Sequence, residues 1–151
     1  MKGSRPRAPR QGGFKSLHPF AAVCPATGAA EGLIAGHVNT ETTQKFLDLP
    51  SATLAPGRHL ALIWDGAGYH AAKALAVPAN ITAVALPPRS PELNPVENLW
   101  HYLRSHHYSN RVYANLHVLE VALMAGGRAT CLGPELILTV CACPYLNSEI
   151  K

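Results

Sequence analysis

Two carboxylates, Asp65 and Glu97, stand where chain reversals point them outward. Asp65 closes the apolar run from Leu60 to Trp64 and is followed by Gly66, Ala67 and Gly68, so a buried strand ends on a carboxylate and turns sharply. Glu97 falls in the first turn of a helix entered from a stiff loop, where the positive helix end keeps a carboxylate ionised. A helix and a strand join the two positions, a connection that can return the chain to the same edge of a sheet. The pairing points to one metal site. Each acid also has a plainer use: an Asp before Gly serves as a turn residue, and a Glu three residues after an N-cap completes a capping box.

The elements that position them follow from the local pattern. Residues Ile81 to Leu86 predict a second short strand, halted by a loop that holds Pro87, Pro88, Pro91 and Pro95 and is expected to be extended and stiff. A helix then begins at Pro95, with Asn94 as N-cap and Val96, Leu99, Trp100 and Leu103 on one buried face. Glu97 lies one step off that face.

The run Trp64-Asp65-Gly66-Ala67-Gly68-Tyr69-His70, followed by Leu86 through Pro87, Pro88, Arg89, Ser90, Pro91, Glu92, Leu93, Asn94, Pro95, Val96, Glu97, Asn98 and Leu99 to Trp100, resembles the second half of the DDE endonuclease domain of mariner-type bacterial insertion-sequence transposases. Weaker similarity reaches upstream through Phe20 to Pro25 and downstream through Ser109 to Val112, covering roughly residues 5 to 125. The resemblance implies an α/β, ribonuclease H-like mixed sheet flanked by helices. It makes Asp65 and Glu97 the second and third members of an acidic triad that binds two Mg²⁺ or Mn²⁺ ions, which prefer oxygen ligands. The implied reaction is DNA strand cleavage and strand transfer in transposition.

The family's first Asp belongs on a strand ahead of the hairpin, yet no acid precedes Glu31, and Glu31, Glu41 and Asp48 come too late. The resemblance therefore predicts a sheet lacking its central first strand and a chain that is weak or inactive alone. By the same resemblance the helix-turn-helix region usual upstream in the family is expected to be missing too. If the first strand is missing, the hairpin and the Asp65 strand must pair directly or leave unpaired backbone. Two alternatives stay open: a non-catalytic DNA-binding remnant, and one half of a split transposase that needs an upstream fragment. An unrelated small-molecule enzyme using Asp65 and His70 lacks a cofactor fingerprint, since Gly66 and Gly68 have no third glycine at nucleotide-binding spacing.

A chain of 151 residues with 48% hydrophobic content supports one domain with a core. Residues 1–13 read as a basic arm, 14–130 as the partial catalytic domain, and 131–151 as an extension without a motif. A net charge of +4 and eight His lean toward an anionic partner, DNA, with a homo-oligomer also open. Phosphate contacts are expected first from Arg89, held by the proline loop, then from Lys73, His70, Arg5, Arg7 and Arg10, although a basic arm like that of the last three is more often a solvated tail. No run approaches a membrane span and no signal segment opens the chain, which predicts a cytoplasmic, nucleoid-associated protein without a membrane or small-molecule partner. Cys24, Cys131, Cys141 and Cys143 lack zinc-knuckle spacing and read as free thiols.

The remaining pattern predicts a hairpin turning at Cys24 to Gly28, then a helix from Asn39 that Pro50 ends or kinks. A brief helix is expected over Ala71 to Val77. Asn115 starts a further helix, which Gly126 and Gly127 end.

Overall fold

The computed structural model describes residues 16–65 and 75–143. Strands β1 (His18–Val23) and β2 (Ala30–Ala35) form an antiparallel hairpin, with His18 opposite Ala35 and Val23 opposite Ala30. The turn closes with the Gly28 amide donating to the Cys24 carbonyl at 2.8 Å, and Gly28 takes φ +74. A Cβ there would stand 2.3 Å from the Pro134 carbonyl oxygen, so only glycine suits both the dihedral and the space.

Helix α1 (Thr40–Thr53) starts as expected at Asn39, whose side chain accepts from the Thr42 amide while Thr42 reaches back to the Asn39 amide. Pro50 does not end it. The residue is buried inside the helix, and the last turn closes through the Leu54 amide on the Pro50 carbonyl. Proline forfeits its own bond to the preceding turn but still accepts one from the next, so burial carries the helix one turn further.

Strands β3 (Leu60–Trp64) and β4 (Ile81–Ala85) pair in parallel, with Leu60 opposite Ile81 and Trp64 opposite Ala85. The fold is mixed α/β. Among the described residues β1–β2 and β3–β4 remain two separate two-stranded sheets, so the direct pairing of hairpin and Asp65 strand does not occur. The expected helix over Ala71 to Val77 falls mostly on residues 66–74, outside the described residues; 75–78 are not helical.

The proline loop is not wholly extended, because Pro91–Leu93 form a single 3₁₀ turn with Pro91 at its start. Helix α2 (Val96–Leu103) follows. Leu99 and Leu103 are buried, with Val96 and Trp100 packed beside them as the spacing requires. The helix runs on into a π-turn, Arg104–Tyr108. Helix α3 (Leu116–Cys131) opens at Asn115, whose side chain accepts from the Val118 amide. It passes straight through Gly126 and Gly127. Gly126 is buried where a Cβ would come within 2.5 Å of the Tyr108 hydroxyl, so this glycine makes room for a ring rather than ending the helix. Tyr108 fixes the contact by donating to the Leu123 carbonyl at 3.1 Å.

Helix α4 (Pro134–Val140) lies in the segment where the sequence offered no motif, and it delivers Ile137 and the adjoining Cys141 into one core with Leu99 and Leu103. A second core joins Leu47 of α1 to Leu62 and Ile81 of the parallel pair. Strand β1 serves both: Ala21 and Val23 pack on the first core and Ala22 on the second, the period-2 alternation of a strand covered on both faces. All four cysteines are free, as expected.

Candidate active site

The parallel register decides the site. With Trp64 beside Ala85, the two strands end at the same edge, and the Leu86 amide extends the ladder by donating to the Trp64 carbonyl at 2.8 Å. Asp65 is the next residue on one strand, and the proline loop leaves from the other. The loop needs only its 3₁₀ turn to bring the start of α2 back over that edge. Asp65 and Glu97 consequently line one small pocket of about 150 Å³, together with residues 86–91 and Asn94.

Asn94 sets the entry of α2 in two ways. Its side-chain oxygen accepts from the Val96 amide at 3.3 Å, and its carbonyl accepts from the Glu97 amide at 3.0 Å. Its own amide is already committed to the Pro91 carbonyl at 3.0 Å. That bond removes the donor a capping-box Glu97 would need, so the capping use of this glutamate is not realised and its carboxylate is left exposed at the pocket. Asp65 is exposed as well.

Arg89 lines the same pocket with φ 61, a left-handed conformation unusual for a residue with a Cβ. The prolines around it restrict the backbone from which this exposed cationic side chain departs. Ser90 and Asn94 add neutral polar groups to the pocket lining; the sequence marks them only through the proline-rich motif in which they sit. His70 and Lys73 fall within 66–74, and Arg5, Arg7 and Arg10 within 1–15, outside the described residues.

Oxygen donors from two carboxylates fit a hard divalent cation. Among the described residues no group of three or more His, Cys, Asp or Glu side chains is arranged to hold a metal ion. Away from the pocket, burial pushes the Cys141 thiol up to about 11, with Cys143 and Cys131 adding to it. For Cys24 burial acts upward too, but hydrogen bonds with Thr27 and the backbone at Ala26 and Thr27 bring the net value below the ordinary one. No single helix among the described residues is long and apolar enough to cross a membrane.

Comparison with known proteins agrees with the motif. A protein of Sinorhizobium fredii (strain NBRC 101917 / NGR234) named "Uncharacterized protein y4pE/y4sA" is 47% identical over 94 residues, covering 62% of this chain and 70% of that protein. No solved structure matches significantly. The family model described as DDE superfamily endonuclease matches residues 1–120, and the chain belongs to that family.

Proposed function

We propose that the chain is the catalytic portion of a transposase-type nuclease acting on DNA, with Asp65 and Glu97 holding Mg²⁺ or Mn²⁺ in its ribonuclease H-like active site. The observation that carries this reading is that both carboxylates line the same pocket, at the strand edge from which the proline loop departs. When bound, such a cation neutralises charge on a phosphodiester and lowers the pKa of an attacking water. Asp65 and Glu97 supply its oxygen ligands, while the Arg89 guanidinium attracts the phosphate into the pocket mouth. Ser90 and Asn94 offer hydrogen bonds to the remaining phosphate oxygens. A pocket of about 150 Å³ has room for a phosphate group of the DNA backbone.

Two acids compensate two dications incompletely, so activity of the chain alone is weak. Asp65→Asn and Glu97→Gln should each abolish Mg²⁺- or Mn²⁺-dependent nicking of plasmid DNA. Nicking that survives either change at the original rate refutes the assignment.

A second reading is favoured by the separation of the two sheets: the first Asp and a central strand arrive on another polypeptide, which bridges β1–β2 and β3–β4. Mixing the chain with the product of the reading frame immediately upstream should then raise metal-dependent nicking. No increase on mixing eliminates the split arrangement and leaves the weak single-chain activity to be judged by the Asp65 variant.

A further inference from the structure

The helix that carries Glu97 also carries a pair of rings that neither core uses. Tyr102 and His106 stack with centroids 4.1 Å apart and planes 18° apart, and both stand outside the two clusters that hold the helices and sheets together. The π-turn Arg104–Tyr108 brings them into line, its wider winding setting His106 over the residue four positions back. Single π-turns inside a helix occur often at functional sites. Side chains add bonds to the carbonyls of this one: Ser105 Oγ donates to those of His101 and Tyr102 at 2.9 and 3.0 Å, and His106 Nδ1–H donates to that of Tyr102 at 3.0 Å. The last bond and the tyrosine ring together fix the imidazole. His106 is exposed, so the ring face turned away from Tyr102 is open to solvent.

An unpaired base has a flat face of matching kind, and stacking on aromatic or histidine rings holds single strands with little regard to sequence. The surroundings suit the charge of a strand as well: between Glu97 and Glu120 the chain has no acid but two arginines and four histidines. Glu97 stands nine positions before His106 on the same continuous helix, about 13 Å along it. About four stacked nucleotides cover that distance. The exposed residues between them, Asn98, His101, Arg104 and Ser105, are all polar or basic. We propose that the Tyr102–His106 stack is a platform for one unpaired base of the DNA strand whose phosphate occupies the Asp65–Glu97 pocket. The inference rests on the nuclease reading for the identity of the strand, and its test needs neither metal nor cleavage.

Fluorescence anisotropy of the full chain in EDTA compares a labelled oligothymidylate of about twelve nucleotides with an abasic strand of the same length, which keeps the phosphates and lacks the bases. Oligothymidylate should bind about tenfold more tightly. His106→Ala should bring the two strands to one affinity without altering the abasic value, and His106→Phe, which keeps a ring, should restore the difference. Helical circular dichroism should not change in either variant, since His106 lies on the surface. The proposal is overturned by equal affinity of the native chain for the two strands, by a difference that survives His106→Ala, or by failure of His106→Phe to restore it. A loss that falls equally on the abasic strand overturns it too, assigning His106 to the phosphates alone. Failure of the nuclease reading shows instead in the nicking activity of Asp65→Asn, so the two can fail separately.

Discussion

The hairpin and the parallel pair are both two-stranded, but they are covered differently. Strand β1 has a helix layer on each side: Phe20 meets Phe46 of α1 with ring centroids 5.6 Å apart, while Ala21 and Val23 face Leu99 and Ile137. The β3–β4 pair packs Leu62 and Ile81 against α1 but leaves Ile63 and Val84 at 45% and 46% exposure on its other face. Parallel strands are ordinarily covered on both faces. The contrast teaches that, among the described residues, the strand pair leading to Asp65 is the less covered of the two, and that the placing of Asp65 and Glu97 on one pocket rests mainly on the proline loop and the α2 entry.

Substitutions can break that contrast. The largest effect is expected at Leu99, which is fully buried between the hairpin and α4: Leu99→Ala should lower unfolding free energy by about 3–5 kcal/mol in urea titrations. Gly28→Ala should cost about 3 kcal/mol in the same titration, because it combines a left-handed φ with a backbone clash at Pro134.

Cys141 gives a pH test of the hairpin-side core. Its folded pKa of about 11 lies above the ordinary thiol value, so the unfolded chain loses its proton first as pH rises. Stability is intact below pH 9 and falls by about 2–3 kcal/mol between pH 9 and 11. The raised Tyr108 and Cys131 values, both set chiefly by burial, act in the same direction. Cys141→Ala should flatten this decline in thermal melts, and an unchanged slope would assign it elsewhere. The smallest effect belongs to the open sheet: Ile63→Thr should move stability by about 0.5 kcal/mol or less. A loss above about 2 kcal/mol would mean that this face is covered in solution, and the comparison between the two regions would collapse.

Legibility followed the range of the interaction. The strand that ends on Asp65, the turn at Cys24 to Gly28 and the amphipathic face of α2 could all be read from neighbouring residues. So could the caps at Asn39 and Asn115, because a side-chain oxygen finds an amide two or three positions ahead. Local breakers did not end their helices where a distant contact overrode them. Pro50 stays within α1 because its side chain is buried, and Gly126 stays within α3 because Tyr108 occupies the space a side chain would need. The unmarked segment after Cys131 holds a core helix for the same reason: Ile137 has no motif around it, only partners on other elements.

By itself the sequence determined which residues are acidic, where the strand before Asp65 stops, and that prolines force a stiff approach to the helix of Glu97, since these depend on bond geometry and near neighbours. Only the tertiary structure decided that the two residues line one pocket. That required a parallel register ending Trp64 beside Ala85, a 3₁₀ turn in the loop, and an Asn94 amide engaged elsewhere so that Glu97 faces the pocket. The register joins residues some twenty positions apart, which no periodicity or local propensity encodes, whereas the turn and the Asn94 bond to Pro91 are local and matter only once that register is set.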